Sequence, residues 1–205
     1  MKSRLLLLTL LLSVLPAALC AQDAECRRRF EEELAAKSRE IRTIACRFEQ
    51  VRKSAVLKDE VRKTGHFHYK RPGRMRLLFA DGDRITMNGS DFLLVESGRK
   101  TVVKMQSNPM LRELQRLLEA CMTADMERLT TGFVPTLRET EKQYELTLAP
   151  RRKNRLQEIV LHFAKKDMSL DELRMNQTSG DYLLYRFSDK RFDEPVADEW
   201  FEIGE

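Results

Sequence analysis

From Ile44 onward the chain alternates apolar and polar residues with a period of two, and the alternation is cut at short intervals by glycine-bearing turns. This pattern constrains the fold more than any other feature, because only a strand presents successive side chains to opposite faces. Candidate strands cover 44 to 53, 57 to 71, 74 to 80, 83 to 88, 91 to 96 and 99 to 106, divided by Asp81-Gly82-Asp83, Asn88-Gly89 and Ser97-Gly98. Such short connections mark antiparallel hairpins, so the first half reads as a meander. A second set follows at 133 to 141, 143 to 150, 156 to 165, 169 to 177 and 181 to 188, with Ser179-Gly180 as a further turn. About eleven antiparallel strands result, and a sheet of that width must curl or close rather than stay flat.

One helical stretch precedes the alternation and a second interrupts it. Residues 24 to 40 place Phe30, Leu34, Ala35 and Ile41 at helical spacing among many charges, with neither Gly nor Pro inside. At Asn108-Pro109 the period changes again, and Met110, Leu111, Leu114, Leu117, Leu118, Cys121 and Met122 make a wide apolar stripe that continues into a more charged stretch to Leu129. The fold class expected is therefore α+β, with one N-terminal helix and one helix inserted mid-sheet.

The first residues bear on compartment. Lys2 and Arg4 precede an apolar run from Leu5 to Leu19, and small residues follow near Cys20-Ala21, the pattern of a secretory signal peptide over 1–21. Residues 22–205 then form one domain. Leu19 stands before Cys20 where a lipidated leader takes a small residue, which argues against acylation there. The 37 basic residues less Lys2 and Arg4 leave 35 against 32 acidic ones, a net charge of +3. The charges are interspersed and no basic block carries interleaved aromatics, so no nucleic-acid partner is expected. Cys26, Cys46 and Cys121 remain after the leader, enough for at most one intramolecular disulfide, and their separations fit no metal-ligand pattern.

Chemistry-bearing motifs are few. Neither Gly-x-Ser-x-Gly, a phosphate loop nor His-Glu-x-x-His occurs, and the carboxylates are scattered, so no enzyme and no cofactor is expected. His66 and His68 lie on one strand face and read as solvent-facing polar residues rather than metal ligands. Phe67, Tyr69 and Arg71 share the opposite face, which puts an arginine at the end of an apolar strand face just before Pro72 closes it. A guanidinium there either reaches solvent or needs acceptors from another segment.

With these motifs in place, the chain resembles the periplasmic outer-membrane lipoprotein carrier family (LolA-like). The resemblance runs through Phe48-x-Gln50, Gly65-x-Phe67-x-Tyr69-Lys70-Arg71-Pro72, Arg74 to Phe79, Asn88-Gly89, and Tyr185-x-Phe187-x-Asp189 followed by Trp200-Phe201 as closing strands. It implies a half-open antiparallel β-barrel with helices forming a lid over an apolar cavity for lipoprotein acyl chains. Arg71 takes the position of the family's lid latch, while Leu77 stands where the family often has Trp. The cavity would be lined from the first half by Phe48, Phe67, Tyr69, Met75, Leu77 and Phe79, with Ile85 and Met87 beyond them. From the second half it would be lined by Leu146, Leu148, Ile159, Leu161 and Phe163. Met110, Leu111, Leu114, Leu117, Leu118 and Met122 would form the lid. The partners implied are acylated lipoproteins, an inner-membrane lipoprotein-release transporter and an outer-membrane receptor, met in the periplasm by a monomer. A carrier or sensor of another lipid, glycolipid or pigment, on the same half-barrel is the alternative.

A triacylated lipoprotein carries about 45 methylenes at roughly 0.8 kcal/mol each, so passage through water needs a shield. A shield that also releases its cargo needs an internal competitor for the same apolar surface, and the Leu/Met helix is the expected one.

Overall fold

The computed structural model describes residues 15–54, 59–89, 91–104, 109–153 and 155–203. Its eleven strands are β1 (Thr43–Lys53), β2 (Val61–Lys70), β3 (Arg74–Phe79), β4 (Arg84–Asn88), β5 (Asp91–Glu96), β6 (Arg99–Lys104), β7 (Phe133–Glu139), β8 (Gln143–Pro150), β9 (Leu156–Ala164), β10 (Leu170–Gln177) and β11 (Tyr182–Phe192). They form one sheet in the order β6-β5-β4-β3-β2-β1-β11-β10-β9-β8-β7. The described ladders are antiparallel, and nearly every strand pairs with its sequence neighbour; the exception is β1 with β11, which joins the two meanders. The edges β6 and β7 do not meet, so the sheet stays open.

The strands fall close to their expected positions, with differences at the ends. β2 begins at Val61, because Asp59-Glu60 precede it as a bend and residues 55 to 58 lie outside the described set. Of the stretch expected to end at 106, residues 105 and 106 are also outside it. β11 runs on to Phe192, four residues past its expected end, because Ala45 and Ile44 of β1 still pair with Arg191 and Phe192 beyond a bulge.

Helix α1 spans Leu15–Glu40, starting well before the expected residue 24, and so includes the end of the stretch read as a leader. Ala, Leu and Gln continue the helix upstream and Pro16 falls in its first turn, where its missing N–H costs nothing. Residues 1–14 are outside the described set. No helix among the described residues is long and apolar enough to cross a membrane. Helix α2 spans Pro109–Thr123 and α3 Met126–Thr130, capped by Asp125, whose carboxylate accepts from the Arg128 amide at 2.8 Å.

Both long helices lie on the same sheet face. Phe30 of α1 packs against Tyr144 and Phe163 at centroid distances of 5.1 and 5.3 Å, which seats α1 on β8 and β9. Leu114, Leu117, Leu118 and Cys121 of α2 are buried in the same cluster as Phe67, Met75, Leu77 and Met87. The core therefore lies between helices and one sheet face, in two layers.

The opposite face carries a strap that the strand reading does not anticipate. Residues Asp198–Phe201 form a 3₁₀ turn instead of a closing strand. Asp193, at φ 57°, and Pro195, which cannot donate to a ladder, end β11 and turn the chain across β2 to β4. Lys70 donates to the Val196 carbonyl at 2.8 Å and pairs with Asp198 at 2.9 Å, Arg74 also pairs with Asp198, and Asn88 donates to the Phe201 carbonyl at 3.2 Å. Phe201 is fully buried.

His68 is consequently not the solvent-facing residue expected, since Trp200 covers it edge-on at 4.6 Å. Burial, with the charges of Arg76, His66 and Arg191, pushes its imidazole down to about 4. A histidine whose pKa is depressed on folding loses stability on acidification, because between about pH 6.5 and 4 the unfolded chain takes up a proton the folded one refuses. His68→Gln is expected to flatten the fall in stability between pH 7 and pH 4.5, read by urea unfolding at both pH values. An unchanged slope would mean His68 already titrates freely. His66 remains exposed, and no group of three or more His, Cys, Asp or Glu among the described residues could hold a metal.

Candidate functional site: the concave face and its helical cover

Alternation places Phe48, Phe67, Tyr69, Met75, Leu77, Phe79, Ile85 and Met87 together on the concave face, and all are buried. Leu146, Leu148, Ile159, Leu161 and Phe163 bring the second meander to the same apolar cluster. Aromatic contacts hold this face together within the first meander and between the two. Phe48 packs on Phe79 at 5.1 Å and on Tyr185 at 6.0 Å, and Phe67 packs on Phe187 at 5.6 Å. Gln50 donates to the Tyr185 hydroxyl at 2.6 Å across β1 and β11, which satisfies both polar groups within the face. Tyr185, Phe187, Phe92 and Leu173 also belong to this face though the expected lining omitted them. The alternation of each was readable from its own strand, and only Tyr185 and Phe187, on β11, face a partner strand far away in sequence.

Leu114, Leu117 and Leu118 lie against this face, and Met122 is half-buried beside it. Met110 and Leu111 fall within α2, but their side chains are outside the described set. The cover is close. Beneath the helices lie two apolar cavities of about 20 Å³, each with room for about one water molecule. The first lies among Cys46, Phe67, Leu118, Met122, Leu170 and Phe187; the second lies among Leu34, Ile41, Cys121, Met122 and Met168. Neither of these cavities has room for an acyl chain.

Arg71 sits at the end of this face, one residue beyond β2. Its Nη2 donates to the Ser38 carbonyl at 2.6 Å, in the last turn of α1. The bond runs to the N-terminal helix and not to the Leu/Met helix, a pairing that sequence spacing could not reveal because 33 residues separate the partners. Arg71 Nε is buried without a partner among the described residues, as is the hydroxyl of the fully buried Tyr69. Burial pushes the Tyr69 phenol up, against the opposing charge of Arg71. Buried donors left unpaired carry a free-energy cost, so this corner is held by one strong bond amid unmet ones.

The thiols of Cys26, Cys46 and Cys121 are all free. Burial pushes Cys46 and Cys121 up to about 12, which keeps both as inert thiols.

Two open grooves flank the corner. One, about 730 Å³, runs along Arg42, Lys70, Arg71 and the β11 exit at Asp193 to Val196. The other, about 540 Å³, lies between the turns at Pro72-Gly73 and Gly89 and the outer side of α2 and α3.

An open antiparallel sheet whose concave apolar face is closed by helices defines a half-barrel fold. The family model described as outer membrane lipoprotein carrier protein LolA matches residues 39–204, and the chain belongs to this family. Comparison with curated proteins gives no match. Among solved structures, a conserved protein from Thermus thermophilus is similar at TM-score 0.55 with 4% identity, covering 87% of this chain and 94% of that one. The complex of MucA and MucB from Pseudomonas aeruginosa is similar at TM-score 0.50 with 14% identity, covering 86% of this chain and 60% of that one. A LolA superfamily protein from Nitrosomonas europaea is similar at TM-score 0.43 with 12% identity, covering 83% and 96%.

Proposed function

We propose that the protein is a non-enzymatic periplasmic carrier, exported by a cleaved leader, that takes up lipoprotein acyl chains on its concave face and conveys them to the outer membrane. One observation supports this above the rest: the apolar face is covered by α2, a helix outside the sheet, while the sheet itself stays open at β6 and β7. A cover not woven into the ladder can leave without breaking strand hydrogen bonds. In the empty protein, Leu114, Leu117, Leu118 and Met122 occupy the surface that acyl chains would take. Cargo binding then replaces one set of apolar contacts with another, so release is not opposed by the full cost of exposing the chains to water. Donor and acceptor membrane complexes follow from the same reading, and the protein acts as a monomer. A glycolipid or pigment carrier remains the second reading, because burial of apolar chains is chemically unselective.

Arg71 is the latch in this scheme. Its bond to Ser38 ties the end of β2 to α1, and a hydrogen bond from a charged donor contributes about 1.5 to 3 kcal/mol. Arg71→Leu removes that contribution from the closed state only. The variant is expected to hold a fluorescent tripalmitoylated peptide about tenfold or more longer than wild type when challenged with acceptor vesicles. Equal release rates would remove the latch from the account.

A further inference from the structure

Helix α2 has two working faces. Leu114, Leu117, Leu118 and Cys121 face the sheet, while Arg112, Gln115, Arg116 and Glu119 recur at three- and four-residue spacing and so share an adjoining face. That second face forms one wall of the 540 Å³ groove, with Arg128 of α3 beside it. Three arginines thus meet one carboxylate in the groove. Arg116 is fixed by Glu113 through Nε at 3.1 Å and Nη2 at 2.7 Å, and Arg128 is fixed by Glu119 at 2.9 Å. Arg112 stays exposed at the rim.

Gln115 supplies an independent observation. It is 5% exposed, and among the described residues its Oε1 is buried without a partner while its Nε2 makes a 3.5 Å contact with the Gly89 carbonyl. A buried amide oxygen left unpaired is costly unless a donor arrives from outside. The opposite wall is kept low by Gly73, at φ 57°, where a Cβ would stand 2.9 Å from Glu119 Oε1.

We propose that this groove binds a phosphate ester that also carries a free hydroxyl, as a phosphoglycerol headgroup does. The phosphate would take the guanidinium donors of Arg112 and Arg128, and the hydroxyl would donate to Gln115 Oε1 once that side chain turns outward, since the oxygen is buried in the empty protein. A simple carboxylate offers no such donor. Because Leu114 and Leu118 flank Gln115 on the same helix, a headgroup seated here places its chains at the margin of the concave face. The inference rests on the carrier reading for the chains and on the groove alone for the headgroup.

The test is calorimetric titration of the full protein at low salt with four probes: glycerol 1-phosphate, dihexanoyl phosphatidylglycerol, dihexanoyl phosphatidylcholine and neutral dihexanoylglycerol. The phosphatidylglycerol is expected to bind at least tenfold tighter than the phosphatidylcholine. The exposed-residue variant Arg112→Glu should abolish that preference, and Gln115→Leu should weaken the phosphatidylglycerol while leaving the phosphatidylcholine unchanged. Equal binding of the two phospholipids, or a preference unmoved by Arg112→Glu, overturns the groove site; binding of dihexanoylglycerol in that case leaves the carrier standing. Glycerol 1-phosphate binding as tightly as the phosphatidylglycerol supports the groove as a site for a free phosphate ester and counts against burial of the chains.

Discussion

Gly65→Ala is expected to cost about 3 kcal/mol or more, a large share of a domain's stability. The reason is local and severe. A Cβ at Gly65 would lie 2.2 Å from the Leu78 carbonyl oxygen, 2.9 Å from its carbon and 2.8 Å from the tip of the Phe48 ring. Gly65 pairs with Phe79 in the β2–β3 ladder, so the nearest obstacle is backbone fixed by its own hydrogen bonds. Phe48 cannot yield either, because it is wedged between Phe79 and Tyr185. Gly82→Ala is the control. Its φ of 90° strains an alanine but nothing lies within 4 Å, so about 1 kcal/mol is expected. Urea unfolding of the two variants separates them, and a Gly65→Ala protein as stable as Gly82→Ala would contradict the packing described.

Leu117→Ala is expected to act in two directions at once. Leu117 is fully buried, so truncation should lower stability by about 3 kcal/mol. If α2 competes with cargo for the sheet, that loss falls on the closed state and not on the loaded one. Apparent affinity for a tripalmitoylated peptide should then rise, by up to about 100-fold. A residue that is only core would weaken binding or leave it unchanged, because loaded and empty forms would lose the same contacts. Fluorescence titration of wild type and variant decides between these outcomes.

Much of the fold was legible because strands and turns announce themselves locally. The alternation at Ile159, Leu161 and Phe163, and glycines at turns such as Gly82 and Gly98, are properties of a few adjacent residues. The α2 stripe is equally local. What escaped reading depends on distant partners. The Arg71–Ser38 bond, the cover of Trp200 over His68 and the cross-strand pair Gln50–Tyr185 each join residues more than 30 positions apart. The family resemblance puts Trp200-Phe201 in the closing strands, yet Pro195 upstream has already removed a ladder donor. The candidate site divides the same way. Its apolar residues could be assigned by parity along each strand, whereas the closeness of the cover, with cavities of about 20 Å³, depends on how two helices settle over the sheet.

The central claim is that α2 leaves the concave face when acyl chains enter. It is tested most directly by a spin-label distance between Thr123 at the exposed end of α2 and Asp81 in the exposed β3–β4 turn, measured with and without a tripalmitoylated peptide. The account predicts a displacement of about 5 Å or more, half the roughly 10 Å that separates packed layers. Saturating peptide with an unchanged distance would contradict it.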